Sequence, residues 1–210
     1  YQPEVAQGTL QAIFEFQTMV AELLGMEVAN ASMYDGASAA AEAVTMARRV
    51  TGRSHVVVSA GLHPEYRETI ATYLRNIDAG EVGLLETARL GDDGRTDLAH
   101  LRSLMRDDTA AVFVGHPNFL GCVEDLATIR EIATGKKALL LTATAEPYAL
   151  SLVASPGHFG ADIAVGEGQP LAIQPQLGGP GVGLFACRKE HVQKMPGRLV
   201  GETVDQTGER

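Results

Sequence analysis

The sequence predicts an α/β protein with a mostly parallel central sheet and helices on both of its faces. Three observations lead to this class. Short apolar runs such as Val56-Val57-Val58 and Ala110 to Val114 alternate along the chain with segments of helical periodicity. The stretches between those runs are long enough to hold the crossover helix that parallel strands require. Finally, 210 residues, 45% of them hydrophobic and 20% charged, can bury the core of one large domain.

The first element is an amphipathic helix from Thr9 to Leu24, where Leu10, Ile13, Phe14, Val20 and Leu24 recur at helical spacing and Gly25 supplies a stop. A polar loop with an Asp35-Gly36 pair leads into a second helix from about Ala37 to Val50. Its small face of Ala40, Ala43, Val44 and Ala47 permits close packing, and Gly52 ends it. The strand Val56 to Val58 precedes a helix that starts near Pro64 and carries Tyr66, Ile70, Tyr73 and Leu74. Glu81 to Thr87 reads as a weaker strand, Gly91 to Gly94 as a turn and Asp97 to Met105 as a helix. Ala110 to Val114 is the next strand; Pro117, Asn118 and Gly121 form a loop, and a helix follows from Glu124 to Ala133. The remaining strands are Ala138 to Leu141, Asp162 to Val165 and Val182 to Ala186, the last two separated by a Gly- and Pro-rich stretch. Alternation of this kind implies parallel pairing through right-handed crossovers, with functional loops at the carboxyl ends of the strands.

Composition narrows the function. A net charge of −9, from 26 acidic and 17 basic residues without a long basic run, argues against nucleic acid or an anionic membrane as partner. Cys122 and Cys187 lie far apart and outside any metal-ligand spacing, so reduced thiols, no metal and a cytoplasmic setting are expected. No apolar run reaches the roughly 18 residues of a membrane span, and no signal peptide pattern opens the chain. Tyr1 at the start and the polar stretch from Gly201 to Arg210 are read as the ends of a piece of something longer. Phosphate-loop, zinc-protease and nucleophile-elbow motifs are missing from the sequence. The glycine-rich Gly178 to Gly183 precedes a strand and lacks the strand-then-helix setting of a dinucleotide site.

Polar candidates gather where strand ends belong: Tyr34 and Asp35 before the second helix, His63 after the first clear strand, and His116 and Asn118 after the strand ending at Val114. The Tyr34-Asp35-Gly36 loop opens a helix, and the unpaired N–H groups there suit a carboxylate or phosphate. A plainer reading is favoured locally: Asp35 caps the helix by accepting from Ala37 or Ser38. A structural role is equally the plainer reading of each lone histidine.

Four strings carry a resemblance: Tyr1 to Thr9, Asn30 to Ser38, Val165 to Gln169 and Gly178 to Gly181. The chain resembles, over essentially its whole length, the amino-terminal (subunit 1, or alpha) part of the glycine cleavage system P-protein family. The resemblance implies the large domain of the pyridoxal-phosphate fold type I architecture, without the family's leading residues and small carboxyl-terminal domain. It also implies glycine decarboxylation and transfer of the aminomethyl group to a lipoylated H-protein. In active relatives of this fold, the strand corresponding to Asp162 to Val165 leads to a His-Lys pair; here Gly166 to Pro170 stands there, and neither Gln169 nor Pro170 can form an imine. A carboxylate for the pyridinium nitrogen is expected after the strand ending near Leu141, where Ala143 and Thr144 occur instead. Lys136 and Lys137 precede a strand and so fall at the opposite sheet edge. The implied chain therefore holds no cofactor and pairs with a homologous pyridoxal-phosphate-binding subunit 2. Tyr34 and Asp35 are the leading candidates to reach into that partner's active site, with His63 and Asn118 behind them. The alternative is a non-catalytic scaffold that only stabilises its partner. With a domain and a partner missing, the isolated chain is expected to self-associate.

Overall fold

A computed structural model describes residues 2, 5–77, 84–204 and 206–208. Helix α1 spans Gln7–Leu24 and stops at Gly25, whose φ of 66° only glycine adopts without strain. A two-residue strand β1, Val28–Ala29, follows, then α2, Gly36–Thr51, which ends at Gly52 with φ 68°. Next come β2 (His55–Ser59), α3 (Pro64–Ile77), β3 (Leu85–Ala88), α4 (Leu98–Leu104) and β4 (Thr109–Gly115). The chain continues through α5 (Leu126–Gly135), β5 (Leu139–Thr144), β6 (Ile163–Glu167), the short α6 (Gln169–Ala172) and β7 (Gly183–Cys187). Helices α4 and α5 begin where an aspartate supplies the first acceptor: Asp97 takes the N–H of Ala99 and His100, and Asp125 takes that of Thr128.

The sheet has seven strands in the order β1-β7-β6-β5-β4-β2-β3. Strands β6, β5, β4, β2 and β3 are parallel, whereas β7 runs antiparallel to both β6 and β1. The sheet is thus mostly parallel, as the sequence predicts, with β7 the exception at this edge. The cause is local: only the four-residue α6 lies between β6 and β7, so the chain turns back at the same sheet edge instead of crossing over. Strand β1 escapes a periodicity search because two residues show no pattern. The weak strand expected over Glu81 to Thr87 is realised as Leu85–Ala88, while residues 81–83 lie outside the described part.

Alternate strand residues sort onto two faces. Val56, Val58, Phe113, Ile163, Val165 and Phe185 pack with the alanine face of α2 and with Ile70 and Leu74 of α3. On the opposite face, Val57, Val112, Val114 and Leu140 meet α4 and α5, and Ala164, Leu184 and Ala186 meet Val20 and Leu24 of α1. Full burial of each large side chain, Phe113 or Ile163 for example, is worth about 1.5–3 kcal/mol. Helix α2 can lie against the sheet because Ala39, Ala40, Ala43 and Ala47 are completely buried and leave only methyl groups between backbones.

Candidate functional site

The carboxyl ends of the parallel strands, with the loop before α2, form one edge of the sheet, and all the sequence-predicted site residues lie along it. Asp35 adopts extended backbone angles and caps α2: its Oδ1 accepts from the Ser38 N–H at 2.7 Å, and Ser38 Oγ accepts from the Asp35 N–H at 3.1 Å. This reciprocal pair is a capping box built with serine, and it accounts for the Asp35 carboxylate in the plainer way read from the sequence. Tyr34, one residue earlier, is 84% exposed.

His63 stands before α3. Its Nδ1 accepts from the Glu65 N–H at 3.2 Å, and its ring packs against Tyr66 and Phe119 at centroid distances of 5.0 and 4.7 Å. Asn118 is buried and its side chain is saturated. It donates to Gly94 O and Glu124 Oε1 and accepts from the N–H of Leu120 and Cys122, so it moulds the loop between β4 and α5. His116 is buried at the end of β4, with Nε2 3.0 Å from Ala154 O, and burial pulls its pKa below the ordinary imidazole value.

Glu167, at the end of β6, was not singled out as a functional residue from the sequence. Its Oε2 accepts from the N–H of Gly36, the first residue of α2, at 2.9 Å. Its Oε1 accepts from the N–H of Gln169 at 2.9 Å and of Val182 at 3.0 Å. No lysine or arginine pairs with it among the described ion pairs. Tyr66 leans over the same point, since a Cβ placed on Gly36 would lie 1.9 Å from its hydroxyl. Burial first, then the charges of Glu167 and Asp35, drive the Tyr66 pKa upward. One signal was available in the sequence: a carboxylate flanked by glycines at a strand's carboxyl end.

These residues do not fit pyridoxal phosphate. Gln169 and Pro170 open α6 where a lysine would be needed, and Gln169 Nε2 instead donates to Pro180 O at 2.9 Å. All four lysines, Lys136, Lys137, Lys189 and Lys194, lie toward the amino ends of the parallel strands. Ala143 and Thr144 end β5 without a carboxylate, and the Thr144 hydroxyl donates to His116 O. Between His63, Tyr66, Phe119 and Ala143 the cleft retains a volume of about 10 Å³, no more than one water requires.

Comparison with known proteins identifies the family and the architecture. The family described as Glycine cleavage system P-protein matches residues 1–210. A relative from Sorangium cellulosum (strain So ce56), named "Probable glycine dehydrogenase (decarboxylating) subunit 1", is 58% identical over 212 residues, covering 100% of this chain and 46% of the relative. A crystal structure of glycine decarboxylase (P-protein) of the glycine cleavage system, in inhibitor-bound form, superposes with a TM-score of 0.91 at 49% identity, over 100% of this chain and 46% of that one. A Campylobacter jejuni structure containing N'-pyridoxyl-lysine-5'-monophosphate shares the fold alone, with a TM-score of 0.63 at 18% identity over 87% of this chain and 41% of that one. The architecture is that of pyridoxal-phosphate enzymes of fold type I. The chain spans about half the length of the curated relatives it matches. On the match across its whole length and the identity to these relatives, the chain belongs to the glycine cleavage system P-protein family.

Proposed function

We propose that this chain acts as the cofactor-free subunit of a cytoplasmic glycine decarboxylase, paired with a homologous subunit that binds pyridoxal phosphate. In this assembly glycine loses carbon dioxide, and its aminomethyl group passes to the lipoyl group of the H-protein. The cofactor, held by the partner, supplies the electron sink. This chain supplies a wall of the active-site channel and part of the interface that keeps water out.

One observation carries the reading. The carboxyl edge of the sheet has no lysine, yet it exposes large apolar or aromatic side chains, among them Tyr34, Phe119, Leu120, Tyr148, Leu152 and Leu177. An edge with this composition suits a surface covered by another subunit better than one left in water. In this reading the exposed Tyr34 donates its hydroxyl across the interface, to the glycine carboxylate or to the partner's cofactor. Asp35 holds the backbone beneath it, and His63 and Asn118 shape the neighbouring loops.

The scaffold reading keeps a specific support, because Asp35 and Asn118 already spend their side chains within the chain. Substitution in the assembled complex separates the two. With a catalytic contact from Tyr34, Tyr34→Phe lowers turnover roughly tenfold or more while assembly is intact, as loss of a hydrogen bond to a charged group does. Unchanged turnover with intact assembly would leave the scaffold role. Asp35→Ala removes the cap and is expected to cost about 1 kcal/mol of stability.

A further inference from the structure

The start of α2 presents N–H groups with the positive end of the helix dipole behind them, a position suited to an oxyanion. Here the oxyanion comes from the chain itself. The Glu167 carboxylate accepts from Gly36 at the helix start, from Gln169 beyond β6 and from Val182 just before β7, all between 2.9 and 3.0 Å. Three backbone N–H groups, that of Gly36 lying 131 residues away in sequence, thus converge on one carboxylate. Its charge is met by backbone N–H groups and the helix terminus, without a cation among the described ion pairs. Glycine is needed at Gly36 for close approach, because a Cβ there would strike Tyr66; at Gly181 a Cβ would lie a tight 3.1 Å from Asp35 Cβ and in ordinary contact, 3.5 Å, with Glu167 Oε2.

We infer that Glu167 is a built-in anion that fills the phosphate-type position at the start of α2 and so closes this chain to phosphate-bearing ligands there. The inference deepens the reading that the cofactor belongs to the partner. It adds that the cradle is plugged as well as lacking a lysine. Truncation at Glu167 removes a methylene and a carboxylate and leaves the same N–H groups around a space suited to inorganic phosphate.

Amide hydrogen exchange at Gly36, Gln169 and Val182 in the cofactor-loaded complex tests this, with inorganic phosphate as the probe and ionic strength held constant. In the unsubstituted protein, phosphate leaves these amides unchanged. In Glu167→Ala they exchange about tenfold or more faster, and phosphate slows them again in a saturable way. Glu167→Gln, which keeps the bulk but turns an NH₂ toward one of the donors, exchanges faster and does not respond to phosphate. Phosphate protection of the unsubstituted protein, or none in Glu167→Ala, would overturn the inference. If Glu167→Ala does not assemble, Glu167→Gln decides: exchange equal to that of the unsubstituted protein means the charge is not what the amides hold. No turnover is read, so the result is independent of the assigned activity.

Discussion

The Gly36 N–H donates to Glu167 at 2.9 Å, tying the first turn of α2 to the end of β6. The same glycine lies under Tyr66, with room for no Cβ: one placed there would sit 1.9 Å from Oη and 2.8 Å from Cζ. Gly36→Ala is therefore expected to destabilise the fold by about 1–3 kcal/mol, read from denaturant midpoints at unchanged m-value. Tyr66→Phe removes the worst contact, so the double variant should recover part of the loss. Simple additivity of the two substitutions would contradict the geometry.

A second close approach fixes α1. A Cβ on Gly157 would lie 1.7 Å from Gly25 O, backbone that cannot swing away. Gly157→Ala is expected to cost about 2 kcal/mol or more and to speed amide exchange along α1 before it affects α2.

Asp162 joins the amino-terminal edge of the sheet to α5. The nearly fully buried carboxylate accepts from Arg130 Nη1 and, at 2.7 Å, from the Leu140 N–H, with Arg188 Nε 3.5 Å away. Asp162→Ala would leave two guanidinium groups without their shared anion and is expected to cost about 3–5 kcal/mol. An effect below about 1 kcal/mol would show that the cluster is solvated rather than buried.

His55 is fully buried, with Nδ1 2.8 Å from Thr109 Oγ1 and Nε2 3.8 Å from Glu86 Oε1. Burial first, and Arg106 second, lower its pKa; Asp108 opposes them weakly. His116 shifts in the same direction, again chiefly through burial. Both rings are thus held neutral in the fold and bind protons more readily when unfolded. Their contribution is full above the unfolded value of about 6.5 and is lost as pH falls through the lower folded values, with a slope of up to about 1.4 kcal/mol per pH unit for each proton. Stability measured from pH 7.5 down to 5 should decline, and His55→Gln should flatten that decline. An unchanged slope in the variant would exclude His55 as a source.

Much of this architecture could be read from local signals. Gly25 and Gly52 mark helix ends because a left-handed residue is needed there, and Val56 to Val58 marks a strand because both sheet faces are covered. Asp35 was legible as a cap for the same local reason. The reversal of β7 was not, since strand direction depends on whether a helix intervenes, and the stretch from Gly166 to Gly181 gives no periodicity from which to tell. Glu167 escaped as a functional residue because its role depends on Gly36, 131 residues away, and on Val182, 15 residues away. Tyr34 and His63 could be placed at the carboxyl edge of the sheet, while the contact of His63 with Phe119 depends on a loop that only the folded chain brings there.

The most direct test of the central claim is reconstitution. The full-length subunit bearing this sequence is added to the purified pyridoxal-phosphate-binding partner, glycine and the lipoylated H-protein, and exchange of carbon dioxide with the glycine carboxyl group is followed. The account predicts that exchange depends on this chain, while the chain alone retains no pyridoxal phosphate on dialysis. Exchange at the full rate without it, or stoichiometric cofactor on the isolated chain, would contradict the account.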